Sequence, residues 1–250
     1  GCTYLTPYRY IPYFVSLTDD ELDEYFEKTK SIAKRYSQAN DDEKDDILES
    51  LLFRRADIIK NASKKYSALE HILDKLGRDV KHTIIYCTPQ QIDKVMEIVN
   101  QRGLISHRFT MEEGTTPNEK YNGLSEREYI LRKFAEGEYQ VLVAMKCLDE
   151  GVDVPPAKIA ILMASSGNSR EYIQRIGRVI RRYPNKNEAT IYDIIVAPSL
   201  NRKLPSELKN LEKKIFEKEL KRYEEIAQIA INNAEAMEMI YKIKNVGGDI

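Results

Sequence analysis

The segment Tyr172-Ile173-Gln174-Arg175-Ile176-Gly177-Arg178-Val179-Ile180-Arg181-Arg182 concentrates the side chains best suited to chemistry. At about 100° per residue, Gln174, Arg175, Arg178, Arg181 and Arg182 fall within roughly one third of a helix circumference. Tyr172, Ile173, Ile176, Val179 and Ile180 take the opposite side. Guanidinium groups crowded on one stripe repel each other, so the arrangement makes sense if a polyanion such as a nucleoside triphosphate lies against it. Arginine suits that task because its planar fork binds phosphate oxygens bidentately and stays charged. A solvated basic face is the plainer reading, but Gly177 argues against it. Glycine costs about 1 kcal/mol inside a helix, so its presence suggests close approach of a backbone or a ligand.

The chain that must position this stripe has 250 residues, room for one large domain with an appendage. At 42% hydrophobic residues it can bury a core, and its net charge of −1 leaves no global attraction to nucleic acid. Any nucleic-acid surface must be a local patch. Cys2, Cys87 and Cys147 are odd in number and far apart, which fits a reducing compartment and no zinc pattern. His71, His82 and His107 are scattered, so no metal site is expected. No run of about 18 apolar residues occurs, so the expectation is a soluble, cytoplasmic protein (nuclear in a eukaryote) with no membrane partner.

Helical periodicity runs from Thr18 to Leu76 and stops at Gly77, a natural C′ residue. The extreme N-terminus, with Pro7, Pro12 and aromatic Tyr4, Tyr8, Tyr10, Tyr13 and Phe14, reads as an extended linker severed from a preceding domain. After Gly77 strands alternate with helices. Thr83–Cys87, His107–Thr110, Gln140–Ala144, Ile159–Met163 and Ala189–Val196 read as strands. Thr88-Pro89-x-Gln91 and Ser125-x-x-Glu128 supply helix N-termini. Such alternation predicts an α/β fold, a mainly parallel sheet with helices on both faces. The stretch 111–124 has no periodicity, and from Pro205 the tail reads as one long charged helix. The expected division is 1–80 for linker and helical segment, 81–198 for the α/β domain and 199–250 for the helical extension. Open α/β sheets bind ligands at the C-terminal ends of their strands, where Thr88, Thr110 and Lys146 sit. They are candidate phosphate contacts, though Thr88 also serves as an N-cap and Lys146 is equally readable as an ordinary surface lysine.

The pattern Gln174-Arg175-x-Gly177-Arg178-x-x-Arg181 resembles motif VI of superfamily 2 helicases and translocases. Val141-Leu142-Val143-Ala144 followed by Leu148-Asp149-Glu150-Gly151-Val152-Asp153-Val154-Pro155 resembles their motif V, and Ile84-Ile85-Tyr86-Cys87-Thr88 their motif IV. The resemblance implies a RecA-like sheet and a role in ATP hydrolysis. It makes Arg178 and Arg181 the arginines that reach the γ-phosphate, and Arg175 the one that ties the two RecA-like domains together. Gln174 faces the nucleotide and the domain interface. Asp153 meets the ribose, with Gly151 allowing the tight backbone before it. Glu150 and Met145 stand where DEAD-box RNA helicases carry arginine and threonine, which favours the XPB-like and restriction-enzyme relatives. DNA is then the expected track, with RNA left open, and a nuclease or methylase partner is compatible.

In that superfamily ATP and Mg²⁺ are held mainly by the first RecA-like domain. The sequence contains no G-x-x-x-x-G-K-[ST] phosphate loop, so it resembles the second half only. Its expected partner is a preceding RecA-like domain of the same protein, and the chain alone is expected to be inactive. The rival is a non-catalytic, helicase-derived module that binds a protein through its terminal helices.

Overall fold

The computed structural model describes residues 6–36, 46–110, 112–145, 154, 156–164, 176–177, 179, 181–199 and 203–246. Strand β1 spans Tyr8–Val15 and is followed by helices α1 (Asp19–Tyr36), α2 (Asp46–Lys60) and α3 (Lys64–Leu76). Then come β2 (Thr83–Tyr86), α4 (Ile92–Gln101), β3 (Ser106–Phe109), α5 (Glu126–Glu136), β4 (Val141–Ala144), β5 (Ile159–Leu162) and β6 (Ala189–Val196). Helices α6 (Ser206–Ile229) and α7 (Asn233–Val246) end the described chain. The strands form one sheet in the order β1-β6-β5-β2-β4-β3, parallel at every pairing. The expected parallel α/β fold is what forms.

Period-2 alternation sends each strand's side chains to two separate cores. Ile84, Tyr86, Leu142, Ala144, Ala160 and Leu162 pack with Phe134 of α5 and Phe216 of α6. Ile85, Val141, Val143 and Ile161 pack with Leu69 and Leu73 of α3 and Val95 and Val99 of α4. Burying both faces explains why these strands read as unbroken apolar runs rather than alternating ones. Helix starts follow local chemistry. Ser125 and Glu128 form the full capping box of α5, and Thr18 and Glu21 exchange the same pair of bonds, at 2.9 and 3.2 Å, before α1.

Residues 8–15, expected to be linker, are extended but belong to the sheet. Tyr8 pairs with Ala189 and the register runs on to Val15 with Val196. The amides of Ala189 and Ala197 donate to the carbonyls of Pro7 and Val15, so the odd-numbered residues face β6 and the even-numbered ones face outward. That outer edge is covered. Asn232 accepts from the Tyr10 amide at 2.9 Å and donates to the Tyr10 carbonyl at 3.0 Å, while the Ile231 amide donates to the Tyr8 carbonyl. One side-chain amide thus stands in for a neighbouring strand. Pro12, at an outward position, has no N–H to leave unpaired.

The same contacts correct the reading of the tail as one long helix. It breaks at Ala230, whose backbone is extended, and restarts at Asn233. The break delivers Ile231 and Asn232 to β1. Behind β1 lies a buried polar group: the Tyr10 hydroxyl donates to Asp193 at 2.6 Å, and the ammonium of fully buried Lys65 donates to the Met163 carbonyl at 2.6 Å. Burial pushes the Lys65 pKa down from 10.5 to about 8, against the pull of the Asp193 carboxylate.

Two outcomes are expected. Asn232→Ala should lower the free energy of unfolding in urea by about 1–3 kcal/mol, because two buried main-chain groups lose their partner. Asn232→Asp should do no better, since a carboxylate cannot donate to the Tyr10 carbonyl; wild-type stability in both variants would show that the tail does not hold the strand. For Lys65 the folded pKa is depressed, so between pH 8 and 10.5 the unfolded chain binds more protons and stability rises with pH. Urea unfolding across that window should move in favour of the wild type relative to Lys65→Met, whereas parallel curves would mean that Lys65 titrates normally.

Candidate functional site

The arginine segment sits where β5 crosses to β6. Ile176 and Val179 are helical and buried at 5% and 2% exposure, in the core that holds Phe134 and Phe216. Arg181 and Arg182 are exposed. Arg181 stands just past these helical residues, in a bridge position, and is exposed while Ile176 and Val179 are buried. Gln174, Arg175 and Arg178 lie outside the described residues. Among the described residues nothing makes the close approach expected at Gly177: a Cβ built there would have none of their atoms within 4 Å.

The end of the segment is held firmly. Lys186, only 6% exposed, donates from Nζ to the carbonyls of Val179 at 2.5 Å and Arg181 at 3.1 Å. Thr6, just before β1, donates its hydroxyl to the same Arg181 carbonyl at 3.2 Å. These are carbonyls that a helix end leaves without intrahelical donors, and a cation there also suits the helix dipole. Burial, helped by the nearby Lys158 charge, pulls the Lys186 pKa down to about 8. Sequence reasoning missed Lys186. Its only signal is a turn, Pro184-Asn185-Lys186, with Asn185 in the left-handed region at φ 62°.

The parallel sheet places the strand ends at one rim, and the order reverses between β4 and β5, which flank β2. The ligand crevice of an open α/β sheet lies at such a reversal. Thr88 and Thr110 both lie on this rim and both are buried, at 8% and 4% exposure. Each is already engaged. The Thr88 hydroxyl donates to Asn61 Oδ1 at 2.5 Å, and the Thr88 amide donates to Gln91 Oε1 at 3.0 Å. Only half of the expected capping box forms, because the Gln91 amide donates to the Thr88 carbonyl at 3.0 Å rather than to its hydroxyl, and the helix begins later, with Gln91 at its N-cap. The Thr110 amide donates to Glu113 Oε2 at 2.7 Å and its hydroxyl to Glu113 Oε1 at 3.1 Å. Two donors thus converge on an anion, the geometry a phosphate oxygen would use. Lys146, Gly151 and Asp153 lie outside the described residues.

The turn between α2 and α3 also runs along this rim, a feature the sequence reading did not single out. Lys60 accepts from Gln91 Nε2 at 2.9 Å, Lys64 donates to Ser16 beyond β1 at 2.9 Å, and Lys65 reaches Met163 beyond β5. One acidic string, Asp20-Glu21-Leu22-Asp23, matches the bare D-E-x-[HD] pattern of Mg²⁺-binding motifs. It falls in the first turn of α1, where Glu21 accepts the Thr18 and Ser63 amides at 2.9 and 2.8 Å. Its work there is capping. A second such string, Asp42-Glu43-Lys44-Asp45, lies outside the described residues.

Residues 64–183 match the family model described as the helicase conserved C-terminal domain. Over 70 residues, 28% of the chain, it is 49% identical to the DNA 3'-5' translocase XPB2 of Sulfurisphaera tokodaii, covering 16% of that protein. Over 128 residues, 51% of the chain, it is 27% identical to the pre-mRNA-splicing ATP-dependent RNA helicase PRP28 of Cryptococcus neoformans, again covering 16% of the relative. The matched stretches thus span about a sixth of these curated relatives. In fold, the chain resembles the C-terminal part of the Fun30 ATPase domain, with a TM-score of 0.50 at 13% identity, covering 96% of this chain and 98% of that one. The parallel sheet, the ordered motifs and the family match agree: residues 64–183 form a C-terminal RecA-like domain of the superfamily 2 helicase type.

Proposed function

We propose that the chain is the C-terminal motor domain of an ATP-dependent, XPB-like DNA translocase, completing an ATPase with another RecA-like domain. The observation that carries this reading is the arginine segment. Ile176 and Val179 are buried in the core while Arg181, two residues beyond Val179, is exposed, and among the described residues nothing lies within 4 Å of where a Cβ on Gly177 would stand. DNA is favoured over RNA by the 49% identical stretch shared with a protein named as a DNA translocase, against 27% with one named as an RNA helicase.

The donor chemistry suits half of an ATP site. An exposed guanidinium offers charge and a bidentate fork to phosphate oxygens, and the partner domain would provide the phosphate loop and the Mg²⁺ ligands. Bound ATP supplies the phosphoryl group whose transfer to water drives the motor. Arg181, with Arg178, offsets the charge that develops on the phosphoryl oxygens. Arg175 and Gln174 join the two domains, and Asp153 meets the ribose, with Gly151 allowing the tight backbone before it. Thr88, Thr110 and Lys146 contact the strand at the rim, which requires the two threonines to exchange their present partners, Asn61 and Glu113, for phosphate oxygens.

The chain alone should release no phosphate from ATP above background, with or without DNA; turnover at ordinary enzyme rates would end the half-site reading. In the full-length protein Arg181→Ala should lower kcat by about 10²-fold with a smaller change in KM, and Arg181→Lys should rescue poorly. Near-normal kcat in Arg181→Ala would remove the role given to the stripe.

Single-stranded DNA should bind the chain weakly, at about 10⁻⁴–10⁻⁶ M, and with little sequence preference. Losing one ionic contact through Lys146→Ala should flatten the dependence of log K on log salt by about 0.7. An unchanged slope and affinity would move the strand away from the end of β4.

A further inference from the structure

Arg181 is held at its own backbone. Its carbonyl accepts from two side chains, Lys186 Nζ from five residues further on at 3.1 Å and Thr6 Oγ1 from the other end of the chain at 3.2 Å. The same ammonium takes the Val179 carbonyl at 2.5 Å, one helical step inward, where the Val179 side chain is locked in the core at 2% exposure. Lys186 therefore links the buried part of the segment to the exposed residue beyond it. Its burial is unusual for a lysine, since an ammonium so enclosed loses most of its hydration and must find donors' partners within the fold.

A guanidinium on a long, exposed side chain would sample many positions if its backbone were not held. A group that acts on transition-state charge must be held close to its working geometry before the reaction begins. Resting on the proposed function of Arg181, we propose that Lys186 is a positioning residue for catalysis, which with Thr6 clamps the backbone of Arg181 so that its guanidinium is presented to the γ-phosphate. Lys186 touches no substrate. It acts through the Arg181 main chain, and its contribution disappears when the guanidinium does.

The test uses the full-length protein and steady-state ATP hydrolysis. Lys186→Met keeps the apolar stem and removes the donors. It should lower kcat by about tenfold or more and leave KM for ATP within about twofold, because the misplacement is felt in the transition state. Thr6→Val, which removes the second donor on the same carbonyl at little change in shape, should act in the same direction by a smaller factor, and it carries the test if Lys186→Met does not fold. In an Arg181→Ala background both substitutions should have no further effect on kcat, the signature of residues that act as a unit.

Three results bear against the idea and are separable. If Arg181→Ala lowers kcat while Lys186→Met and Thr6→Val leave it near normal, the clamp is not used and the proposal falls, although the function given to Arg181 stands. If Lys186→Met or Thr6→Val lowers kcat by the same factor with and without Arg181, its effect is general and the positioning role falls. If Arg181→Ala itself leaves kcat near normal, the proposed function fails first and the clamp has nothing to position.

Discussion

A parallel sheet cannot leave a face to water as an antiparallel one can, because its crossover connections pass over both sides and its strands are apolar on both. The rest of this chain is arranged around that constraint. Helices α3 and α4 cover one face, α5 and α6 the other, and the arginine segment is one of the covering pieces. Its Ile176 and Val179 are sheet-covering residues first, buried in the core, while Arg181 beyond them is exposed. The same constraint puts the strand ends on one rim, so Thr88 and Thr110 share it without any special device.

Closing the sheet is the second demand. At one edge β1 pairs with β6 across some 180 residues of chain, as Tyr8 lies beside Ala189. The exposed edge this creates would be a hazard, and the chain covers it with the break between α6 and α7. Asn232 satisfies both main-chain groups of Tyr10, while Tyr10 in turn donates to Asp193 on β6. Both ends of the described chain are thereby bound into the sheet, and neither is an appendage in the mechanical sense.

Where the apolar period was strong, the sequence was legible. The strands from Thr83 to Val196 were legible mainly as short apolar runs and the helices from Asp19 to Leu76 from a period of 3.6, and Ser125-x-x-Glu128 named a helix start correctly. The misses have physical reasons. Residues 8–15 carry two-sided aromatic side chains and a proline, which read as linker because strand pairing with β6 is invisible at that separation. The tail's apolar stripe passes through the break, because Ala230 and Ile231 keep the pattern while Asn232 serves another element. Thr88 was correctly placed on the rim, but its hydroxyl goes to Asn61, a partner 27 residues away that no local capping rule anticipates. Lys65 and Lys186 carry no signal of burial in the sequence, since lysine is almost always a surface residue; the carbonyls at the ends of β5 and of the arginine segment take their ammonium groups.

The two candidate surfaces lie at different ends of the sheet, and that separation has a consequence for a motor. Thr88 and Thr110 follow strands and sit at the C-terminal rim, whereas the Arg181 carbonyl is tied to Thr6, just before β1 begins, at the opposite end. A domain that grips a strand at one end and meets a nucleotide through a residue fixed at the other can transmit movement only if the body between them is stiff. The features that supply stiffness here are the ones the chemistry does not need directly: close packing of both sheet faces, lysines buried against main-chain carbonyls at each end, and an edge strand clamped by the tail. Close-packed cores transmit displacement because they cannot absorb it locally. In the proposed translocase, rigid-body motion of this domain against its partner would therefore carry a change at the arginine face to the rim with little loss, and the buried lysines would matter to function by keeping that body from yielding.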